Sequence, residues 1–314
     1  MRVLVTGAGG MMGSHFMDFL AKKKIESLGT YFRPTTDYLS EKPENVKLVE
    51  LDVRDYNAVY KILSEFKPDK IFHLAAQSYP TVSWEDPWYT IDTNIKGTVN
   101  IFEAVKKLKI NTVIIVAGSS AEYGFVDEKD IPVKETHELK PLHPYGVSKL
   151  AQENLAYQYF KNFGIKGIPI RIFNTTGPRK VNDVCSDFTK QAVMIEKGLQ
   201  EPIIRVGNLE AWRGITDVRD AIEAFWLIME RGKPGEVYNF SGARAYKVED
   251  LLNKIIAITG IQPKIYQDPK LMRPTDEKII FGDATKLKQE TGWNQKISID
   301  QTLEDMVNYW RKKL

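Results

Sequence analysis

The chain has 314 residues, 43% of them hydrophobic and 27% charged, and carries a formal net charge of +3 from 44 basic and 41 acidic side chains. Such a composition excludes a disordered or fibrous chain, and so even a balance of charge gives no push toward nucleic acid. Cys185 is the single cysteine, which rules out an internal disulfide and a thiolate metal cluster, and no apolar run is long enough to span a bilayer. The opening residues read as a strand rather than a signal peptide, so the expectation is a cytoplasmic protein with no metal and no membrane partner.

In chain order, Arg2-Val3-Leu4-Val5 reads as a strand and residues 14–24 as a helix, with Phe16, Met17, Phe19 and Leu20 on one side. Strands follow at 46–51, 70–74 and 112–117, separated by helices at 57–66 and 94–108. Strand and helix in alternation imply a doubly wound parallel sheet covered on both faces, an α/β Rossmann-like fold. Beyond Phe173 the pattern loosens into glycine-, proline- and charge-rich loops, with helices at 218–229, 248–258 and 301–312. The expected division is a Rossmann domain over 1–173 and a smaller mixed α/β region over 174–314, some of whose segments return to the sheet. Residues 83–89 are rich in aromatics and fit either a cover over a ligand or packing at a helix start, with Pro87 an early helical residue. His73, on a strand, reads as a satisfied core histidine.

The chemistry starts at Thr6-Gly7-Ala8-Gly9-Gly10-Met11-Met12-Gly13. Gly7, Gly10 and Gly13 form G-x-x-G-x-x-G between the first strand and the first helix. In that context the first glycine permits a tight turn, the second lets backbone approach a pyrophosphate, and the third lets helix pack on strand. Where an NAD site would have a carboxylate at the end of the second strand, this chain has Arg33, which suits the extra phosphate of NADP(H); NAD(H) stays open. Asp52 is placed either to accept from an adenine amino group or to cap the next helix. Tyr145 and Lys149 are four apart, on one face of a helix, where an ammonium favours the phenolate and makes Tyr145 a proton donor or acceptor. Ser119, at the end of the strand 112–117, comes to the same mouth of the sheet.

At these residues the chain resembles the extended short-chain dehydrogenase/reductase family, over essentially its whole length. The matching pieces are the glycine loop, Phe72-His73-Leu74-Ala75-Ala76-Gln77-Ser78, Ser119-Ser120-Ala121-Glu122-Tyr123-Gly124, and Tyr145 to Lys149. Its second half is similar to the GDP-mannose-metabolising branch, the 4-keto-6-deoxymannose reductases and 4,6-dehydratases. The resemblance implies a catalytic Ser119, Tyr145 and Lys149. It implies a cofactor site of Gly7, Gly10, Met11, Met12, Gly13, Arg33, Asp52, Val53, Leu74, Ala75, Ala76 and Lys149. For the substrate, a nucleoside-diphosphate sugar and by preference a GDP-sugar, it implies Gln77, Ser120, Glu122, Asn174 and Arg179 on one side. On the other it implies Lys190, Asn208, Arg213, Arg273 and Glu277, with Arg213 and Arg273 clasping the diphosphate. Many relatives pair through the helices 94–105 and 145 onward, so a homodimer is expected.

Dehydration needs an extra acid/base carboxylate near the ring, which the dehydratases this chain resembles carry two residues before the Tyr-Gly pair, and this chain has Ala121 there. Glu122, one residue later, faces the other way if the segment is extended. The expected reaction is therefore NADPH-dependent reduction of a C4 keto group. Dehydration and epimerisation are the alternatives, and an inactive dinucleotide-binding regulator is disfavoured because both Tyr145 and Lys149 are present.

Overall fold

The computed structural model describes residues 1–272 and 277–314. Its centre is a seven-stranded parallel sheet. Six strands come from the first half: β1 (Arg2–Thr6), β2 (Glu26–Tyr31), β3 (Lys47–Glu50), β4 (Lys70–His73), β5 (Val113–Ala117) and β6 (Lys166–Ile172). The order across the sheet is Tyr238–Phe240, β6, β5, β4, β1, β2, β3. The chain reverses direction of travel at β1, which pairs with both β2 and β4. A switch point of this kind opens a crevice beyond the strand C-termini, where ligands of such sheets sit.

Alternating side chains explain the layers. Val3, Val5, Phe72 and Ile115 point to one face and join Phe16, Met17 and Leu20 of α1 (Met11–Lys22). Leu4, Ile71, Ile114 and Val116 point to the other face. There they meet Val59 and Leu63 of α2 (Tyr56–Phe66), Ile101 and Phe102 of α3 (Gly97–Leu108), and Tyr159 of α4 (Pro144–Phe163). Each such buried aliphatic or aromatic side chain contributes roughly 1.5–3 kcal/mol. Two segments of the second half join this core: Tyr238–Phe240 pairs with β6, and helix Val218–Arg231 lays Ala221, Ile222 and Phe225 beside α1. A third apolar cluster lies apart, where helices Val184–Glu196, Val248–Thr259 and Ile299–Lys313 pack together.

The helix expected from residue 94 begins as α3 only at Gly97, after one π-helical turn over Asp92–Lys96. Asn94 lies in that turn. Its buried amide is exchanged with the Gln77 backbone, at 2.8 and 3.0 Å, and donates to Ser148 Oγ at 2.9 Å. Insertions of this kind gather at functional sites. His73 is the satisfied core residue expected: Nδ1 meets Thr6 Oγ1 at 2.9 Å, Nε2 meets Thr98 Oγ1 at 3.0 Å, and burial pushes its pKa down to about 3. No helix among the described residues is long and apolar enough to cross a membrane.

Candidate active site

A single cavity of about 1310 Å³ runs from the glycine loop, over the C-terminal ends of the strands, into the second half of the chain. Gly7 starts it with φ +76°, and a Cβ there would stand 2.8 Å from Ala75 N. A Cβ on Gly13 would collide with the Gly7 carbonyl oxygen. The loop is thus closed against its own neighbours and leaves backbone, not side chain, facing the cavity at the start of α1, a cradle suited to a pyrophosphate. Gly10, Met11 and Met12 line it, with Val53, Leu74, Ala75 and Ala76 opposite.

Arg33 lies in the cavity wall with φ +48°, its guanidinium 5.4 Å from the Phe32 ring and 5.8 Å from the Tyr89 ring. Arg54 shares those two rings, at 5.7 and 5.3 Å. Sequence reasoning missed Arg54, although a second base two residues beyond Asp52 was a usable signal. Asp52 does not cap the following helix, because Asp55 does. Asp52 instead takes Arg54 side-on, Nη2 to Oδ2 at 2.7 Å, which holds its carboxyl below the usual range. Tyr89 is the one residue of the aromatic run 83–89 in this wall, while Trp84 and Trp88 are exposed outside it.

Ser119, Tyr145 and Lys149 come together in the same cavity. Helix α4 starts at Pro144 with His143 as its cap, Nδ1 accepting the Gly146 N–H at 3.0 Å, so Tyr145 sits in the first turn. Ser119 ends the extended run after β5 and is hydrogen bonded to the Tyr145 phenol, a contact that favours the phenolate. Lys149 is tied to the end of β5 and faces the phenol across a gap. The ammonium donates to Ala117 O at 2.7 Å and stands 5.7 Å from the Tyr145 ring centre. Burial pushes Tyr145 up to about 12, against the pull of Ser119, and pushes Lys149 down to about 8.

The sugar-side residues divide. Gln77, Ser120, Asn174, Lys190, Asn208, Arg213 and Glu277 all line the cavity. The Gln77 amide is already spent on Tyr79, accepting its N–H and donating to its carbonyl, and Arg213 Nη1 donates to the carbonyls of Trp212 and Glu277. Arg179 is in the wall, but its guanidinium is paired with Asp18 of α1 at 2.8 Å, on the glycine-loop side. Glu122 is a correction. It is fully buried, outside the cavity wall, with its carboxyl turned back to the Ser119 N–H at 2.6 Å. Arg273 lies outside the described residues. Arg205 and Asp187 line the cavity and were not foreseen; burial and Asp183 push Asp187 up to about 6.

The family model described as GDP-mannose 4,6 dehydratase matches residues 4–306. The chain belongs to that family. It is 30% identical to GDP-6-deoxy-D-mannose reductase of Pseudomonas aeruginosa, covering 100% of this chain and 98% of the relative. Human GDP-mannose 4,6 dehydratase is 29% identical, over 97% of this chain and 90% of the relative. Among solved structures, RMD from P. aeruginosa complexed with NADPH superposes with a TM-score of 0.87 at 28% identity, covering 100% and 99% of the two chains. UDP-glucose 4-epimerase from Thermotoga maritima, with UDP-glucose, gives 0.90 at 28% identity over the same shares.

Proposed function

We propose that this chain reduces the C4 keto group of a GDP-4-keto-6-deoxymannose-type sugar with NADPH. The observation that carries the reading is the convergence of Ser119, Tyr145 and Lys149 on one cavity with the glycine loop, while Ala121 stands where dehydration would need a carboxylate. Residues 1–173 hold the dinucleotide, with Arg33 and Arg54 reaching the 2′-phosphate. Residues 174–314 hold the nucleoside diphosphate, with Arg213, Asn208 and Lys190 among its contacts. A bound reduced nicotinamide supplies the hydride. Ser119 orients the C4 oxygen, and Tyr145 gives it the proton as the carbonyl becomes an alcohol. Lys149, cationic below about pH 8, supports the phenolate that remains.

Arg179 belongs to the dinucleotide side in this reading, because Asp18 holds it there. Epimerisation at C4 is the second reading, since it needs the same three residues and no further carboxylate, and a 4-epimerase superposes at 0.90. A pair of copies is the proposed assembly, checked by light scattering on an eluting peak. The activity test is to supply GDP-4-keto-6-deoxymannose with NADPH and follow loss of reduced-nicotinamide absorbance. Turnover is expected. No turnover, together with water loss from GDP-mannose, reverses the order of reduction and dehydration.

A further inference from the structure

The Glu122 carboxyl has no part in the chemistry above, yet it lies directly behind the serine. Ser120–Glu122 is one 3-10 turn with Ser119 as its N-cap. Ser119 Oγ accepts the Ala121 N–H at 3.2 Å, and Glu122 Oε1 accepts the Ser119 N–H at 2.6 Å, closing a reciprocal capping box. Gly118 makes room for this, since a Cβ there would stand 2.6 Å from Glu122 Oε1. On its other side Glu122 Oε2 is 3.7 Å from Arg171 Nε of β6. Arg171 is gripped by Glu153 of α4, through Nη2 to Oε1 at 2.6 Å and Nε to Oε2 at 2.8 Å. The Glu122 and Glu153 carboxyls lie against each other.

We propose that Glu122 is a positioning residue, which aims the Ser119 hydroxyl at Tyr145 and ties the serine's turn to the helix that carries Tyr145 and Lys149. The proposal rests on the reading of Ser119, Tyr145 and Lys149 given above. With one Ser119 lone pair committed to Ala121, the hydroxyl hydrogen is left to donate toward the phenol or a substrate oxygen. Burial and the Glu153 carboxylate hold Glu122 well above the usual carboxylate range. Its second oxygen faces Arg171 and Glu153 rather than the cavity, so the side chain acts on the chemistry only through the serine it holds. A carboxamide can accept from the Ser119 N–H and donate to the Glu153 carboxylate beside it, whereas an aliphatic side chain can do neither.

The test compares Glu122→Gln and Glu122→Leu with the wild type in NADPH oxidation by the 4-keto sugar, with NADPH affinity and thermal midpoint measured for each. Glu122→Gln is expected to keep kcat within about threefold, and Glu122→Leu to lose about tenfold or more in kcat with KM and NADPH affinity within about twofold. Crystal structures of the two variants read the geometry without turnover: the Ser119–Tyr145 hydrogen bond persists with Gln and is broken with Leu. A Leu variant with wild-type kcat, or a folded Gln variant as impaired as Leu, overturns the proposal. Should the Leu variant fail to fold, Glu122→Met takes its place with the same expectations, as its flexible thioether fills irregular space. If the wild type itself does not oxidise NADPH with this sugar, the proposed function fails, and the Ser119 geometry in the variant structures still decides the role of Glu122.

Discussion

The two ends of the cavity are built by different means. At the glycine loop the shape is imposed by backbone: Gly7 in left-handed φ and Gly13 against the Gly7 carbonyl leave one way for the chain to pass. At the sugar side the walls come from segments far apart in sequence, with Asn174, Lys190, Asn208 and Glu277 carried on separate stretches. The first end is a local arrangement that a short motif can encode. The second exists only once helices Val184–Glu196, Val248–Thr259 and Ile299–Lys313 have packed around their own core. Cofactor class is thus written in a few adjacent residues, and sugar choice is distributed.

That contrast can be broken or sharpened in three ways. The largest effect is expected between the two ends, at Tyr145. Tyr145→Phe removes the proton donor and should lower kcat by roughly 10²–10⁴-fold. Fluorescence titration with NADPH should give an unchanged affinity; a variant that keeps its kcat would remove the phenol from the reaction. Next, Arg33→Ala combined with Arg54→Ala should raise KM for NADPH by about 10–100-fold, the worth of one to two charge-assisted hydrogen bonds, and leave KM for NADH nearly as it was. Equal losses with both dinucleotides would mean that these bases shape the loop rather than read a phosphate. The smallest effect is graded with pH. Lys149 loses its charge near pH 8, so kcat should hold below that value and fall toward tenfold per unit above it. Because its folded pKa lies below the ordinary 10.5, the unfolded chain binds more protons between the two values. Lys149 therefore adds stability as pH rises there, and its part in the activity loss should come without a fall in thermal midpoint.

The middle of the sheet was legible because β1, β4 and β5 are nearly continuous apolar runs, while β2, with Glu26, Ser27, Gly29 and Thr30 in its run, carries no such signal. The loop and the Tyr145–Lys149 spacing were legible because each is a contiguous motif with a backbone cause. Glu122 was set on the substrate by resemblance; the reading that it faces away agrees with the structure, although a turn rather than an extended run directs it. Ser-x-x-Glu at 119–122 is itself a capping-box signature, so the sequence held the signal. The Arg179–Asp18 pair was not legible, since its partners lie far apart in sequence, whereas Arg54, two residues beyond Asp52, carried a signal that was passed over. Lys149 could be placed near Tyr145, but its commitment to the Ala117 carbonyl needed three dimensions.

The stretch that opens the second half is bolted to α1. His15 meets the Pro178 carbonyl at 2.9 Å, and Arg179 grips Asp18, one turn further along the same helix. The helix that the glycine loop opens therefore anchors, on its flank, the start of the second half of the cavity wall. A shift of that rod would thus be felt at both ends of the cavity.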